Sequence, residues 1–296
     1  MSLALPMQPV MTIRRTRRLP ILGEVLVQAG EAVTADTIVA QAEIVGVEIP
    51  VEVSRKLGIP PSFVERIMVK QIGDLVEARD YLAVNVGLFG LSRERVKAPC
   101  TGYVESISKQ TGIVTLRTPT VSVQRKAYLP GRVVEVLPRE GVVVETCGVA
   151  LTGAFGVGGE RSGRLRLAVS QPDQVLTPDL ISSEMSGTIV VGGGSVTAAA
   201  LKKAADLRVA AIIAGSIHDS ALAEYLGYEL GVPITGQEDI VTALILTEGF
   251  GETAMRQAAF DLLQQHAGRI VSANGTTHLR SNLVRPEVVI PAELSE

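Results

Sequence analysis

"VQAGEAVTADTIVAQAE", residues 27–43, recurs at an offset of 43 within "VKQIGDLVEARDYLAVN", residues 69–85. Gly30 maps onto Gly73, Glu31 onto Asp74, Val33 onto Val76, Ala35 onto Ala78, Val39 onto Leu82 and Ala40 onto Ala83. A glycine followed by an acid suits a tight turn at positive φ, and the β-branched residues around it suit short strands. A second element recurs too: Pro20-x-x-Gly23-x-Val25 returns as Pro99-x-x-Gly102-x-Val104, with a shorter echo at Pro130-Gly131-x-Val133. Short strands and closely spaced turns predict small barrels or sandwiches over residues 19–175.

Both copies resemble the half-motif of biotinyl and lipoyl carrier domains, the barrel-sandwich hybrid fold, best over 69–118 with an extra half-motif at 20–45. The resemblance implies a modified lysine at a hairpin tip just beyond the Val-Ala strand. The first tip, "AEIVGVEIPVEV", has Gly46 at that place and no lysine before Lys56. In the second, "VNVGLFGLSRERVK", the only lysine is Lys97, which abuts Ala98-Pro99 and belongs to the next strand. A lipoyl-like scaffold with no cofactor is therefore expected. A helical insertion near 54–70 is predicted by Pro60-Pro61 and the capping box Ser62-x-x-Glu65, with Phe63, Val64, Ile67 and Met68 on one face. "PGRVVEVLPREGVVVETCG" resembles the strand-turn-strand of KOW-type proteins, which implies RNA or ribosome association. With no aromatic platform and only Arg132 and Arg139 as basic residues, nucleic-acid binding is not expected there.

The pattern changes after the loop-rich "GAFGVGGERSGRLRLAVSQPDQVLTPDLISSEMSG", taken as the domain boundary. Thr177-Pro178-Asp179 is a helix-start signal. Strand 188–191, helix 195–206, strand 209–214, helix 219–226, strand 232–235, strand 242–248, helix 252–266 and strand 287–291 then predict an α/β domain over 176–296. The whole is an α+β multidomain protein, β-rich in its N-terminal half and βα-alternating in its C-terminal half. Gly192-Gly193-Gly194-Ser195 lies where phosphate loops lie, between strand and helix, and Ser195 or Thr197 can add a hydroxyl. A small anionic ligand there and a plain βα turn with Ser195 as N-cap stand as alternatives, since the lysine of a P-loop is absent. The segment also resembles swivelling β/β/α domains through "VAAIIAGS" and "ELGVPITG". That likeness implies a phosphorylated histidine at the start of the second helix, where His218 lies. The thirteen-residue spacing to Gly231 and the missing Gly-Gly-x-Thr-Ser depart from the family, and His218 reads equally as a loop or N-cap neighbour of Asp219. The polar cluster around Asn274-Gly275, with His278 and Arg280, reads as a hairpin or a partner surface.

The 296 residues are 46% apolar, 20% charged and 3% aromatic, with net charge -3. That balance exerts no global pull on nucleic acid, and no apolar run reaches membrane-spanning length. Two cysteines, Cys100 and Cys147, argue against a disulfide framework and a cysteine-rich metal site, and no metal is expected. Arg14, Arg15, Arg17 and Arg18 form a basic N-terminal arm (1–18) that is either solvated or a partner surface. No signal peptide precedes it, so a cytoplasmic protein is expected. No G-x-S-x-G, H-E-x-x-H or Cys-His pairing occurs, so an enzyme is not favoured. The expected function is a non-catalytic scaffold or adaptor acting through protein partners or self-association into a homo-oligomer. The alternative is anionic-ligand binding or catalysis at the glycine turn. The whole chain is also similar to a bacterial family of unassigned function.

Overall fold

The repeated half-motif takes the same trace twice. In the computed structural model, which describes residues 10–86, 93–228, 240–277 and 285–292, the chain forms two units. One comprises Met1–Pro20, Glu24–Ala40 and Arg125–Glu296; the other comprises Ile21–Gly23 and Gln41–Gln124. The protein is strand-rich α+β, 45% strand and 17% helix, with several sheets.

The chain begins with β1 (Met11–Arg18), β2 (Glu24–Val25) and β3 (Ala32–Val33), and passes out of the first unit along β4 (Ile38–Ile44). The second unit holds β5 (Glu48–Glu52), α1 (Val53–Leu57), α2 (Val64–Ile67), β6 (Leu75–Val76), β7 (Tyr81–Val86), β8 (Arg93–Lys97), β9 (Gly102–Ile107) and β10 (Ile113–Arg117). Here β5, β10, β9 and β6 make one sheet in that order, and β7 and β8 make a hairpin. Val53, Val64, Leu82, Val104, Val114 and Leu116 form its core. In β9 and β10 the buried Val104, Val114 and Leu116 alternate with less buried residues, so each strand buries one face. Val53 and Val64 add to the core from the two short helices. Lys97 ends β8, as expected, and its ammonium lies 5.4 Å from the Tyr81 ring centroid. The residues between β7 and β8, 87–92, lie outside the described residues. The helical insertion is present but starts earlier than the capping box indicates, at Val53. Ser62 falls in a 3₁₀ turn (Pro61–Phe63) that has no side-chain cap, and Phe63, expected inward, is exposed.

After β11 (Val121–Lys126) the first unit resumes with β12 (Gly131–Leu137), β13 (Gly141–Thr152), β14 (Phe155–Val157) and β15 (Glu160–Leu167). It then alternates: β16 (Ile189–Val191), α3 (Ala198–Asp206), β17 (Ala211–Ile217), α4 (Asp219–Leu226), β18 (Ala243–Phe250), α5 (Gln257–Gln265), β19 (Ile270–Asn274) and β20 (Glu287–Pro291). One mixed sheet runs β14-β18-β17-β16-β15-β19-β20-β13-β12-β3, and β1 pairs with β13 off this path. Strands β15 to β18 are parallel neighbours; β15 pairs antiparallel with β19 on its other edge. Apolar runs such as Ala211–Ala214, within a strand buried at every position, are what a parallel strand covered on both faces requires.

The stretch taken as a domain boundary contains β14 and β15, and β15 lies mid-sheet, joining the parallel strands to the antiparallel ones. Its Arg-Ser-Gly-Arg content suggests loop, yet the i, i+2 alternation with Leu165 and Leu167 is that of a strand. Thr177-Pro178 opens only a 3₁₀ turn, Pro178–Leu180. Asn274-Gly275 is not a hairpin turn: Asn274 ends β19 opposite Glu287 of β20, so the connection runs over 275–286. The strand expected at 232–235 lies outside the described residues. Among the described residues no helix is long and apolar enough to cross a membrane.

Candidate functional site

The glycine turn follows β16 at the carboxyl end of the parallel strands, where open α/β sheets place their ligands. Its amides are largely engaged by backbone. Gly192 N–H donates to Ile213 O (2.8 Å), Gly194 N–H to Gln174 O (2.9 Å) and Thr197 N–H to Leu176 O (3.2 Å). A Cβ on Gly193 would lie 2.6 Å from Gln174 O, and one on Gly194 2.8 Å from Asp173 O. The glycines thus let segment 171–176 pack directly on the turn, and all three are buried. Ser195 bridges to Ser216 and is not the N-cap. Thr197 caps α3, its hydroxyl accepting from Ala200 N–H at 3.2 Å, and the helix starts at 198. The carboxyl ends of β17 and β18 bring a side-chain pair together: His218 Nε2 meets Glu252 Oε1 at 2.9 Å, both well exposed. His218 and Asp219 open α4 as expected, whereas the helix expected from 252 starts at Gln257. Asn274 Oδ1 accepts from Thr276 N–H at 2.9 Å; His278 and Arg280 lie outside the described residues.

The four arginines are not an arm. They lie on β1, in register with β13 from Met11↔Gly148 to Arg18↔Gly141. Strand alternation sorts them. Arg14 and Arg18 point outward to Glu145 (2.6 Å) and Glu140 (3.4 Å), while Ile13, Arg15 and Arg17 turn inward. Arg17, 7% exposed, holds Glu160 with two parallel bonds, Nη1–Oε1 2.7 Å and Nη2–Oε2 2.6 Å, and donates from Nε to Lys126 O (2.7 Å). A bidentate guanidinium–carboxylate pair fixes geometry as well as charge. Arg15 pairs with Glu287, Nε to Oε1 at 2.8 Å, which raises its pKa further.

Tyr128 sits between the two pairs. The Arg17 guanidinium lies 5.4 Å from its ring centroid, and its hydroxyl donates to Glu287 Oε1 at 3.3 Å. Burial, and then the charges of Glu287 and Glu160, push its phenol pKa well above the ordinary value. Its backbone adopts φ 69°, uncommon for a bulky side chain, held by N–H to Ala35 O (2.9 Å) and by the Ser272 hydroxyl on its carbonyl (2.6 Å). Next to it, Asp36 accepts from Lys126 Nζ (2.8 Å) and the Ser162 hydroxyl (3.1 Å); the lysine, then the serine, hold its pKa below the usual carboxylate value.

Asp36, Lys126, Tyr128, Glu160 and Ser162 line two adjoining clefts that share Ala35, Asp36 and Ser162. One, of about 290 Å³, is walled by Tyr128 and Glu160; the other, of about 560 Å³, extends past Pro130 to Arg164, Arg269 and Pro291. Glu160, Ser162 and Arg164 are alternate residues of β15, so one stripe of that strand carries an anion, a hydroxyl and a cation along the clefts. Ala35 and Pro130 stand out in the sequence only as repeat positions, and Arg15 and Arg17, which hold the neighbouring glutamates, only as part of a basic cluster. The alternation of polar residues over 160–166 was the available signal. Comparison with protein-family profiles, curated proteins and solved structures gives no match to this chain.

Proposed function

We propose that the protein is a non-catalytic assembly protein that acts by association, first with a second copy of itself. The supporting observation is an apolar pair on the outer face of the second unit's sheet. Leu75 of β6 stands opposite Tyr103 of β9, and the two are 49% and 47% exposed. Strand alternation turns their neighbours Val76, Gly102 and Val104 inward, so the outward positions would ordinarily be polar. The row continues across the sheet with Arg117 of β10 and Glu48 of β5, which pair with each other at 2.7 Å. Tyrosine and arginine are among the residue types enriched at interface hot spots. β6 ends the sheet order, so the pair of Leu75 and Tyr103 lies at the rim of the sheet, where an identical exposed face can meet it about a two-fold axis.

The second unit reads as a barrel-sandwich hybrid module without a carrier lysine. The correspondence of its glycine turn with that of the first unit supports this, as does the position of Lys97 at the end of a strand. Sedimentation velocity of the full chain across the micromolar range tests the assembly reading. A concentration-dependent dimer that Tyr103→Glu weakens by about tenfold or more, with unchanged thermal unfolding, is the expected result. A monomer throughout, or a dimer indifferent to Tyr103→Glu and Leu75→Glu, overturns it.

A further inference from the structure

We propose that the larger cleft of the first unit binds a small organic carboxylate, the anion on Arg164 and Arg269 and an apolar body along Pro130, Ile270 and Pro291. The volume, about 560 Å³, falls within the range of small-molecule sites. Two fixed cations stand at one end. Arg164 Nη1 donates to Gly268 O, and Arg269 Nη2 donates to Pro291 O at 2.6 Å. Each guanidinium is thereby oriented, and neither meets a carboxylate within ion-pair distance among the described residues. This sets them apart from the β1 arginines, all four of which face glutamates. A guanidinium has five N–H donors in a planar fork, so each arginine retains donors after its single carbonyl bond.

The register explains why these groups converge. Arg164 of β15 stands opposite Ile270 of β19, and Ser162 opposite Ser272, so all four side chains share one face of the sheet. Ser272 is taken up by Tyr128 O, which pins the 127–130 segment over that face and leaves Ser162, Arg164 and Ile270 along the opening. The surface between cations and hydroxyl is mostly apolar (Ala35, Pro130, Ile270, Pro291) and would be left wet by a bare inorganic anion. At the far end Asp36 is already ionised and satisfied by Lys126 and Ser162. It repels a second carboxylate, so the geometry favours a monocarboxylate with its charge at the arginine end.

The test is titration of the full chain with hexanoate, inorganic phosphate and 1-hexanol, followed by amide chemical shifts. Saturable shifts confined to the neighbourhood of Ser162, Arg164 and Ile270 are expected with hexanoate, and much weaker ones with the other two. Arg164→Gln and Arg269→Gln should each weaken hexanoate by about tenfold or more, the range for one charge-assisted hydrogen bond, while Arg14→Gln leaves it unchanged. If phosphate binds as tightly as hexanoate, the organic body is refuted. Absence of saturable shifts with all three probes, or binding indifferent to both cleft variants, refutes the site. Far-ultraviolet dichroism on each variant separates lost binding from lost folding. None of these outcomes depends on whether the chain self-associates.

Discussion

The turn at Gly30 and the turn at Gly73 form the same hydrogen bonds in different settings. Gly30 N–H donates to Val133 O (2.7 Å) and Gly73 N–H to Val104 O (2.8 Å); Val133 N–H returns to Glu31 O (2.9 Å) and Val104 N–H to Asp74 O (3.0 Å). The acids cap their own turns alike, Glu31 on Gln28 N–H and Asp74 on Gln71 N–H. Then the copies diverge. Ala127 N–H donates to Thr37 O as Ala98 N–H does to Asp80 O, so Tyr128 in the first unit corresponds to Pro99 in the second. Proline has no N–H and its φ is locked negative, so it can neither donate to the opposite turn nor take up φ 69°. In the second unit the left-handed residue is Arg79 instead, φ 75°, the counterpart of Asp36. A shared scaffold thus supports a charged network with a cleft in one place and a plain turn in the other. Two positions, Asp36/Arg79 and Tyr128/Pro99, mark where the copies part. β1, β15 and β20 supply the first unit's polar partners Arg17, Glu160, Ser162 and Glu287.

The comparison can be broken most forcefully in the core. Leu82 is fully buried, and Leu82→Ala should cost about 3.5 kcal/mol through lost burial and the cavity left behind. If the two turns belong to separately stable units, amide exchange accelerates across β7, β9 and β10 and stays unchanged for Val142, Val144 and Val289 of the first unit. Uniform acceleration would mean that the repeat is folded as one cooperative body.

Tyr128 sharpens the contrast through pH. Its folded pKa is raised above the unfolded value, so folding keeps a proton that the unfolded chain loses. The stability linked to it is fully present below the unfolded pKa. It falls as pH rises beyond about 10, by about 1.4 kcal/mol per pH unit while the native phenol stays protonated. Tyr225, also raised by burial, contributes with the same sign. Urea midpoints at successive alkaline pH values should therefore decline for the wild type and decline less for Tyr128→Phe. An equal slope in both would show that the Tyr128 phenol titrates normally in the folded protein.

The sequence made the local turn legible because it is local: glycine, acid and alternating apolar residues are confined to a few positions. It also displayed both partner strands, Gly102-x-Val104 and Gly131-x-Val133, without saying which turn each one meets. That choice depends on closing a long loop: the first half-motif pairs across the whole inserted unit, the second within it. The βα alternation was legible for the same reason as the turn, and helix 219–226 and strand 287–291 fall where periodicity puts them. The cleft was not legible. Asp36, Tyr128, Ser162 and Arg164 come from two loops and a strand far apart in the chain, and each alone looks like an ordinary surface residue. The glycine run drew attention through its composition, although in the structure its small size serves backbone packing.

The smallest expected effect tests the equivalence itself. Gly30 has φ 88° and Gly73 φ 94°, and neither has a heavy atom within 4 Å of where a Cβ would stand. Space is therefore not the constraint, and the cost of Gly30→Ala or Gly73→Ala is the backbone preference against the left-handed region, about 1 kcal/mol each. Since both turns donate to a valine carbonyl across the same short ladder, the two costs should match within about 0.5 kcal/mol when each is measured by the unfolding of its own unit. A markedly larger loss at Gly30 would place the extra strain in the network beyond it, where Tyr128 already holds an unfavourable φ against Ala35. A larger loss at Gly73 would place it at Arg79.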